Sequence, residues 1–145
     1  MTKSEQREAA RKFINKWNKK EGSEDKESRS FWIDLLGGVC GIKDVTDHVE
    51  FEKRVKGTDG HTKKIDIYIP ETRVLIEQKS AGIKLDAPQA GHDGMTPYEQ
   101  AKYYDNNLGY DEKAVWIITC NFREIWIYDM QSYMRLKFLS SYEQR

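Results

Sequence analysis

The chain has little proline and little cysteine: three prolines and two cysteines in 145 residues. Cys40 and Cys120 cannot build the disulfide framework of a small secreted domain, and they lack CxxC or zinc-ligand spacing. Buried free thiols in a reducing compartment are expected. Histidine is as scarce. His48, His61 and His92 are scattered beside Gly or Asp in expected loops, so surface or turn positions are expected and a zinc centre is not. No apolar run approaches the roughly 20 residues of a membrane helix, and the opening MTKSEQREAARKF has no apolar stretch of the signal-peptide kind. No membrane partner is expected. Net charge is missing too: 24 Lys and Arg balance 24 Asp and Glu. Proteins that grip nucleic acid by its phosphates usually carry a basic excess, because affinity comes largely from Lys and Arg displacing counterions. The balance argues against an autonomous high-affinity DNA binder. It leaves room for a local positive surface, or for a module whose partner does the gripping.

What is present is one domain's worth of chain with bulky core material: four Trp, eight Tyr and five Phe, enough for a soluble globular fold. Residues 4–19 read as a helix, with Ala10, Phe13, Ile14 and Trp17 at three- and four-residue spacing and Ser4 as its cap. A polar loop follows. Ser23 then caps a second helix, whose first turn carries Glu24, Asp25 and Glu27, where the helix dipole favours negative charge. Its stripe is Phe31, Trp32, Leu35 and Leu36, and Gly37-Gly38 ends it. Residues 48–56 alternate as a half-buried strand. KIDIYI (64–69) and VLIEQK (74–79) follow as further strands, joined by tight turns in an antiparallel meander.

Residues 80–95 are rich in Gly, Ala, Pro and Asp and read as a long loop, a class that is often functional or mobile. Thr96-Pro97-Tyr98-Glu99 is a capping box with proline at the first helical position, opening a helix to Leu108. AVWIITC (114–120) reads as a central strand, apolar on both faces, with EIWIYD (124–129) as its partner. The tail from Met130 is ambiguous between strand and helix. Phe31, Trp32, Trp116 and Trp126 are expected in the core. These elements make an α/β layered domain, a central mixed sheet flanked by helices. Fold alone does not give function.

The chemistry concentrates in the strand pair. Side chains alternate across a strand, which puts Ile65, Ile67 and Ile69 on one face and Lys64, Asp66 and Tyr68 on the other. In the next strand Val74 and Ile76 oppose Leu75, Glu77 and Lys79. A loop over Pro70–Arg73 sets Ile69 across from Val74, Ile67 from Ile76 and Asp66 from Glu77. One slip of register would mix the faces, so burial pins it. The same register opposes Lys64 to Lys79, so the strands must splay there or Lys64 must point away. Two carboxylates at this distance raise one another's pKa. A hard divalent cation removes the conflict: Mg²⁺ takes oxygen ligands and is satisfied by one or two carboxylates with water and phosphate. Lys79, on the same face, is placed to orient or deprotonate a metal-bound water and to neutralise charge developing on a phosphate. An ordinary cross-strand ionic cluster would use the same three residues.

Asp66 followed after ten residues by Glu77-Gln78-Lys79 resembles the PD-(D/E)XK nuclease signature, with Ile65 in place of its variable proline. Gln100-Ala101-Lys102-Tyr103-Tyr104 is similar to the QxxxY motif of RecB-like nucleases. EDKESRSFWIDLLGGVCGI, TPYEQAKYYDNNL and AVWIITCNFREIWIYD resemble the N-terminal nuclease region of type IIG/IIL restriction–modification enzymes, over most of residues 24–130. The resemblance implies a restriction-endonuclease-like fold in a single domain over 1–145: an N-terminal helix and linker (1–22), a nuclease core (23–130) and a C-terminal extension (131–145) toward a spacer and methyltransferase. Asp66 and Glu77 would be metal ligands, with the Gln78 backbone carbonyl as a third and Glu27 as a further acid. Lys79 would be the catalytic lysine. Gln100 and Tyr104, one helical turn apart, would contact the scissile phosphate or support the site.

The implied activity is Mg²⁺-dependent hydrolysis of double-stranded DNA, with Mn²⁺ as a substitute and 5′-phosphate and 3′-hydroxyl products. The implied partners are a methyltransferase and a target-recognition domain in cis, with dimerisation for double-strand cleavage. The implied location is the cytoplasm of a bacterium or archaeon. The alternatives are a catalytically silent docking module and a stand-alone repair-type nuclease of the same fold.

Overall fold

The computed structural model describes residues 1–132 and 134–139. The last residues of the expected C-terminal extension, 140–145, lie outside them. Helix α1 (Lys3–Asn18) starts one residue earlier than its spacing predicts. Thr2, and not Ser4, is the cap: its side chain accepts the Glu5 N–H while the Glu5 carboxylate accepts the Thr2 N–H, so two orphan donors are satisfied at once. Helix α2 (Glu24–Ile33) does not stop at Gly37-Gly38 but runs on as a π-helical turn over Asp34–Val39. A short helix α3 (Val45–His48), not anticipated from the sequence, leads into strand β1 (Glu50–Lys56).

Strands β2 (Thr62–Ile69) and β3 (Val74–Gln78) form the hairpin. Helix α4 (Pro97–Asn106), opened by the Thr96/Glu99 capping box, precedes β4 (Trp116–Cys120) and β5 (Glu124–Asp129). The ambiguous tail supplies a strand, β6 (Met134–Leu139). The six strands form one sheet in sequence order, antiparallel throughout except where β3 and β4 run parallel. A parallel neighbour needs a crossover, and the 80–95 loop with α4 provides it.

Two cores sandwich the sheet. On one face Trp17 of α1 and Phe31 and Trp32 of α2 pack on Ile67, Val74 and Ile76. On the other, Ala101 of α4 and Leu108 pack on Tyr68, Leu75 and Ile117. Trp126 is buried as expected, and Trp116 is partly buried. Of the cysteines, Cys120 is buried, its thiol pushed up to about 12 by burial. Cys40 is exposed, contrary to expectation, because the π turn carries it out at its end. Among the described residues no helix is long and apolar enough to cross a membrane.

One face assignment requires correction. Ile67 and Ile69 pack toward α1 and α2, but Ile65 packs with Val55 and Tyr68 on the α4 side. The cause is local. Glu52 has φ +55°, a left-handed conformation uncommon for a residue with a side chain. No ladder pair joins it to Asp66, the position that the register sets opposite. The break lets both strands turn over within a residue, which puts Phe51 and Val55 in different cores.

Candidate functional site

The hairpin register is Ile67↔Ile76, Tyr68↔Leu75 and Ile69↔Val74, as the alternation predicts. The ladder then stops one pair short of Asp66 and Glu77. The Gln78 N–H donates instead to Asp66 Oδ2, at 2.8 Å. A carboxylate has taken over the role of a strand carbonyl, and this draws Asp66 against β3. Beyond it the strands part. Lys64 is exposed and pairs with Arg54 of β1, while the Lys79 N–H continues onto β4 through Cys120 O at 2.7 Å. The expected clash of Lys64 with Lys79 is thereby avoided.

Glu77 and Lys79 are both buried and face α4 with Leu75. Lys79 Nζ stands 3.1 Å from Glu77 Oε2 and donates to Gln100 Oε1 at 2.7 Å. Gln100 Nε2 in turn donates to the Tyr104 hydroxyl at 2.9 Å. The Asp66 and Glu77 carboxyls lie close enough for each to shift the other's pKa. Asp66, Glu77, Lys79, Gln100 and Tyr104 are therefore one continuous chain of contacts. An ammonium has three donors; two are taken by Glu77 and Gln100, which leaves one N–H.

Burial pushes the Glu77 carboxyl well above its ordinary 4.5, with the Asp66 charge adding to the rise and Lys79 opposing it. Asp66 is raised from 3.8, again chiefly by burial, against the pull of the Gln78 N–H and Lys79. The ion pair with Lys79 does not cancel the cost of burying Glu77. Two carboxyls held this close each make the other's charge more costly, a conflict that a cation would relieve.

The donor set fits a hard cation. Glu77 Oε1 is buried without a hydrogen-bond partner, the kind of oxygen that demands an explanation. Among the described residues no three Asp, Glu, His or Cys side chains gather into a self-sufficient cage. Mg²⁺, which keeps several waters and shares phosphate oxygens, needs no such cage. Three cavities border the cluster, one of them, of about 340 Å³, against Gln100 and Tyr104; the other two flank its acids and lysine. One, of about 330 Å³, is lined by Glu24, Arg29, Glu52, Asp66 and Gln78. The other, of about 430 Å³, is lined by Lys79 and the 80–95 loop, and Glu24 borders both.

Glu27 is the one predicted residue that stays apart. Its Oε1 accepts the N–H groups of Gly22 at 2.9 Å and Ser23 at 3.1 Å. It is committed to the start of α2, where the Ser23 side chain makes no capping bond. The acid that approaches the site from this helix is Glu24. Partial burial and the Asp66 charge raise its pKa, against attraction from Lys79. Both acids lie in the same first turn, and nothing in their spacing separates them. Two further residues escaped sequence reasoning. The Gln78 side chain, 1% exposed, accepts from Trp32 Nε1 at 2.6 Å and donates to Lys79 O at 2.9 Å. Gln89, from the loop, donates to Gln100 Oε1 at 3.1 Å. Neither sits in a position that residue type alone would flag.

A family model described as "MmeI, N-terminal domain" matches residues 4–142. It takes in α1 and β6 as well as the segments that carry the motif. No curated protein and no solved structure matches the chain.

Proposed function

The chain belongs to the MmeI N-terminal domain family, which makes it a restriction-enzyme-related domain, and from that premise we propose that it is a Mg²⁺-dependent endonuclease module for double-stranded DNA. The observation that carries the reading is the continuity of Asp66, Glu77, Lys79, Gln100 and Tyr104 around an unpartnered buried carboxylate oxygen. A purely structural ionic cluster would carry such an oxygen only at a cost of about 1–3 kcal/mol.

Asp66 and Glu77, with the Gln78 carbonyl, would hold the ion, and Mn²⁺ has the same preference for oxygen. The ion supplies Lewis-acid stabilisation of charge on the phosphoryl oxygens. Lys79, fixed by Gln100 and Glu77, turns its remaining N–H to the attacking water or to a non-bridging phosphate oxygen. Gln100 holds that ammonium in place, and Tyr104 fixes the Gln100 amide. Water adds to phosphorus and gives up a proton to solvent, the P–O3′ bond breaks, and the departing oxygen takes a proton back from solvent, leaving 5′-phosphate and 3′-hydroxyl ends. Balanced net charge fits a module that relies on a methyltransferase and target-recognition domain in cis for affinity and sequence choice, and on a second copy to cut both strands. The cytoplasm of a bacterium or archaeon is the corresponding location.

Incubation with supercoiled plasmid in Mg²⁺ or Mn²⁺ tests the reading. Nicking by the wild type, abolished in Lys79→Ala and in chelator, is expected. Calorimetric titration with Mn²⁺ separates an active site from a silent fold: heat that disappears in Asp66→Asn and Glu77→Gln supports the site, and no heat in the wild type sinks it.

A further inference from the structure

Residues 80–95 contain no helix or strand, yet the loop is fixed at several points. The Ala81 N–H donates to Gly22 O at 2.8 Å, and Gln89 donates through its backbone to Met95 O at 3.0 Å. Asn121 Nδ2 donates to Ile83 O at 2.8 Å, and Leu85 is buried. The first anchor requires glycine: Gly22 has φ +80°, and a Cβ there would stand 2.6 Å from the Ala81 Cβ. Between the anchors two side chains are turned out. Ile83 is 41% exposed. Lys84 is exposed and has no ion-pair partner among the described residues. With Lys79, Pro88 and His92 they line the cleft of about 430 Å³.

A held backbone, an unpaired cation and an apolar side chain at the rim of a site built for a phosphodiester have a common use. Phosphate contacts from Lys and Arg position a nucleic acid, apolar side chains lie on sugars, and a preformed loop spares the entropy of ordering. Resting on the nuclease reading, we propose that this cleft seats the stretch of DNA strand adjoining the scissile phosphate. Lys84 takes the flanking phosphate, His92 donates a hydrogen bond to the same backbone, and Ile83 lies against the deoxyribose. Burial and the nearby Lys79 hold the His92 imidazole below its ordinary pKa, which disfavours its charged form. Glu24 borders the cleft at its Asp66 end, where the cation would screen it. Gln89 carries the seat's position to the reacting groups, since its amide shares Gln100 Oε1 with Lys79.

The test is anisotropy of a labelled 20-base-pair duplex with the whole chain in Ca²⁺, titrated across salt concentration. Each phosphate contact contributes about 0.9 to the slope of log affinity on log salt. Lys84→Gln should lower the slope by about 0.9. His92→Ala and Ile83→Ser should weaken binding severalfold with the slope unchanged. Lys12→Gln, on the exposed face of α1, should change neither. An unchanged slope in Lys84→Gln, or an equal fall in Lys12→Gln, overturns the seat. Plasmid nicking that depends on Lys79 would leave the nuclease reading standing in that event. A wild type that neither binds the duplex nor nicks plasmid removes both.

Discussion

Gln100 Oε1 accepts from two donors at once, Lys79 Nζ at 2.7 Å and Gln89 Nε2 at 3.1 Å. An amide whose oxygen faces two donors and whose nitrogen faces the Tyr104 hydroxyl has its orientation determined by its neighbours. Gln100→Ala leaves the buried Lys79 ammonium with Glu77 as its sole partner. Hydrogen bonds to charged groups contribute about 1.5–3 kcal/mol, so a loss of that order is expected in urea denaturation. Supporting residues of this kind typically cost about 10–100-fold in activity, and plasmid nicking should fall within that range. A variant as active as the wild type would make the Lys79–Gln100 contact incidental.

The carboxyl pair gives the cation-free protein an unusual pH response. Glu77 and Asp66 have folded pKa values raised above the ordinary 4.5 and 3.8, so the folded state binds their protons more tightly than the unfolded chain does. Their stabilising contribution is complete below those ordinary values and is lost as pH rises through the raised ones. In chelator the melting temperature should therefore decline as pH rises above about 5, over and above any general trend. Glu77→Gln should flatten this decline and raise the alkaline melting temperature by a few degrees. Mn²⁺ should restore stability to the wild type alone. A rising profile in chelator would contradict the assignment.

Glu24 and Glu27 should separate cleanly. Glu27 accepts two N–H groups at the start of α2, and loss of such a cap costs about 0.5–2 kcal/mol. Glu27→Ala is therefore expected to lower the urea midpoint while leaving nicking per folded molecule unchanged. Glu24 borders two of the cavities; Glu24→Gln should keep the midpoint and reduce nicking. The opposite pattern would return Glu27 to the site.

What the sequence disclosed follows from what constrains it. The β2–β3 register was legible because Ile67, Ile69, Val74 and Ile76 can share one face in only one alignment, and α4 because Thr96, Pro97 and Glu99 combine at fixed offsets. The turnover at Glu52 and Asp66 was not, since no residue type marks it: glutamate has no preference for φ +55°. The π turn likewise looked like a helix end, because glycine just past an apolar stripe is a common helix terminator and Gly37-Gly38 stands there. The tail stayed ambiguous because Met134–Leu139 alternates without a partner until β5 is in place. Glu24 and Glu27 show the limit most plainly. Composition brought an acid to that turn, and three-dimensional direction decided which acid meets Lys79.

Gln78, the middle residue of the Glu-Gln-Lys run, joins the helical layer to the site. Its side chain takes the Trp32 Nε1–H at 2.6 Å and gives a hydrogen bond to Lys79 O at 2.9 Å, while its own N–H holds Asp66. Trp32→Phe keeps most of the ring's packing but leaves Gln78 Oε1 buried and unsatisfied, at a cost of about 1–3 kcal/mol. In a Gln78→Met background that oxygen is absent, so the same substitution should cost less. Contacting residues commonly couple by about 0.5–3 kcal/mol. A double-mutant cycle in urea should fall in that range, and nicking should drop in both single variants because Asp66 and Lys79 lose a fixed neighbour. Additive costs would mean that α2 merely covers the hairpin. A coupling of the expected size would mean that the helix holds the strand from which Glu77 and Lys79 project.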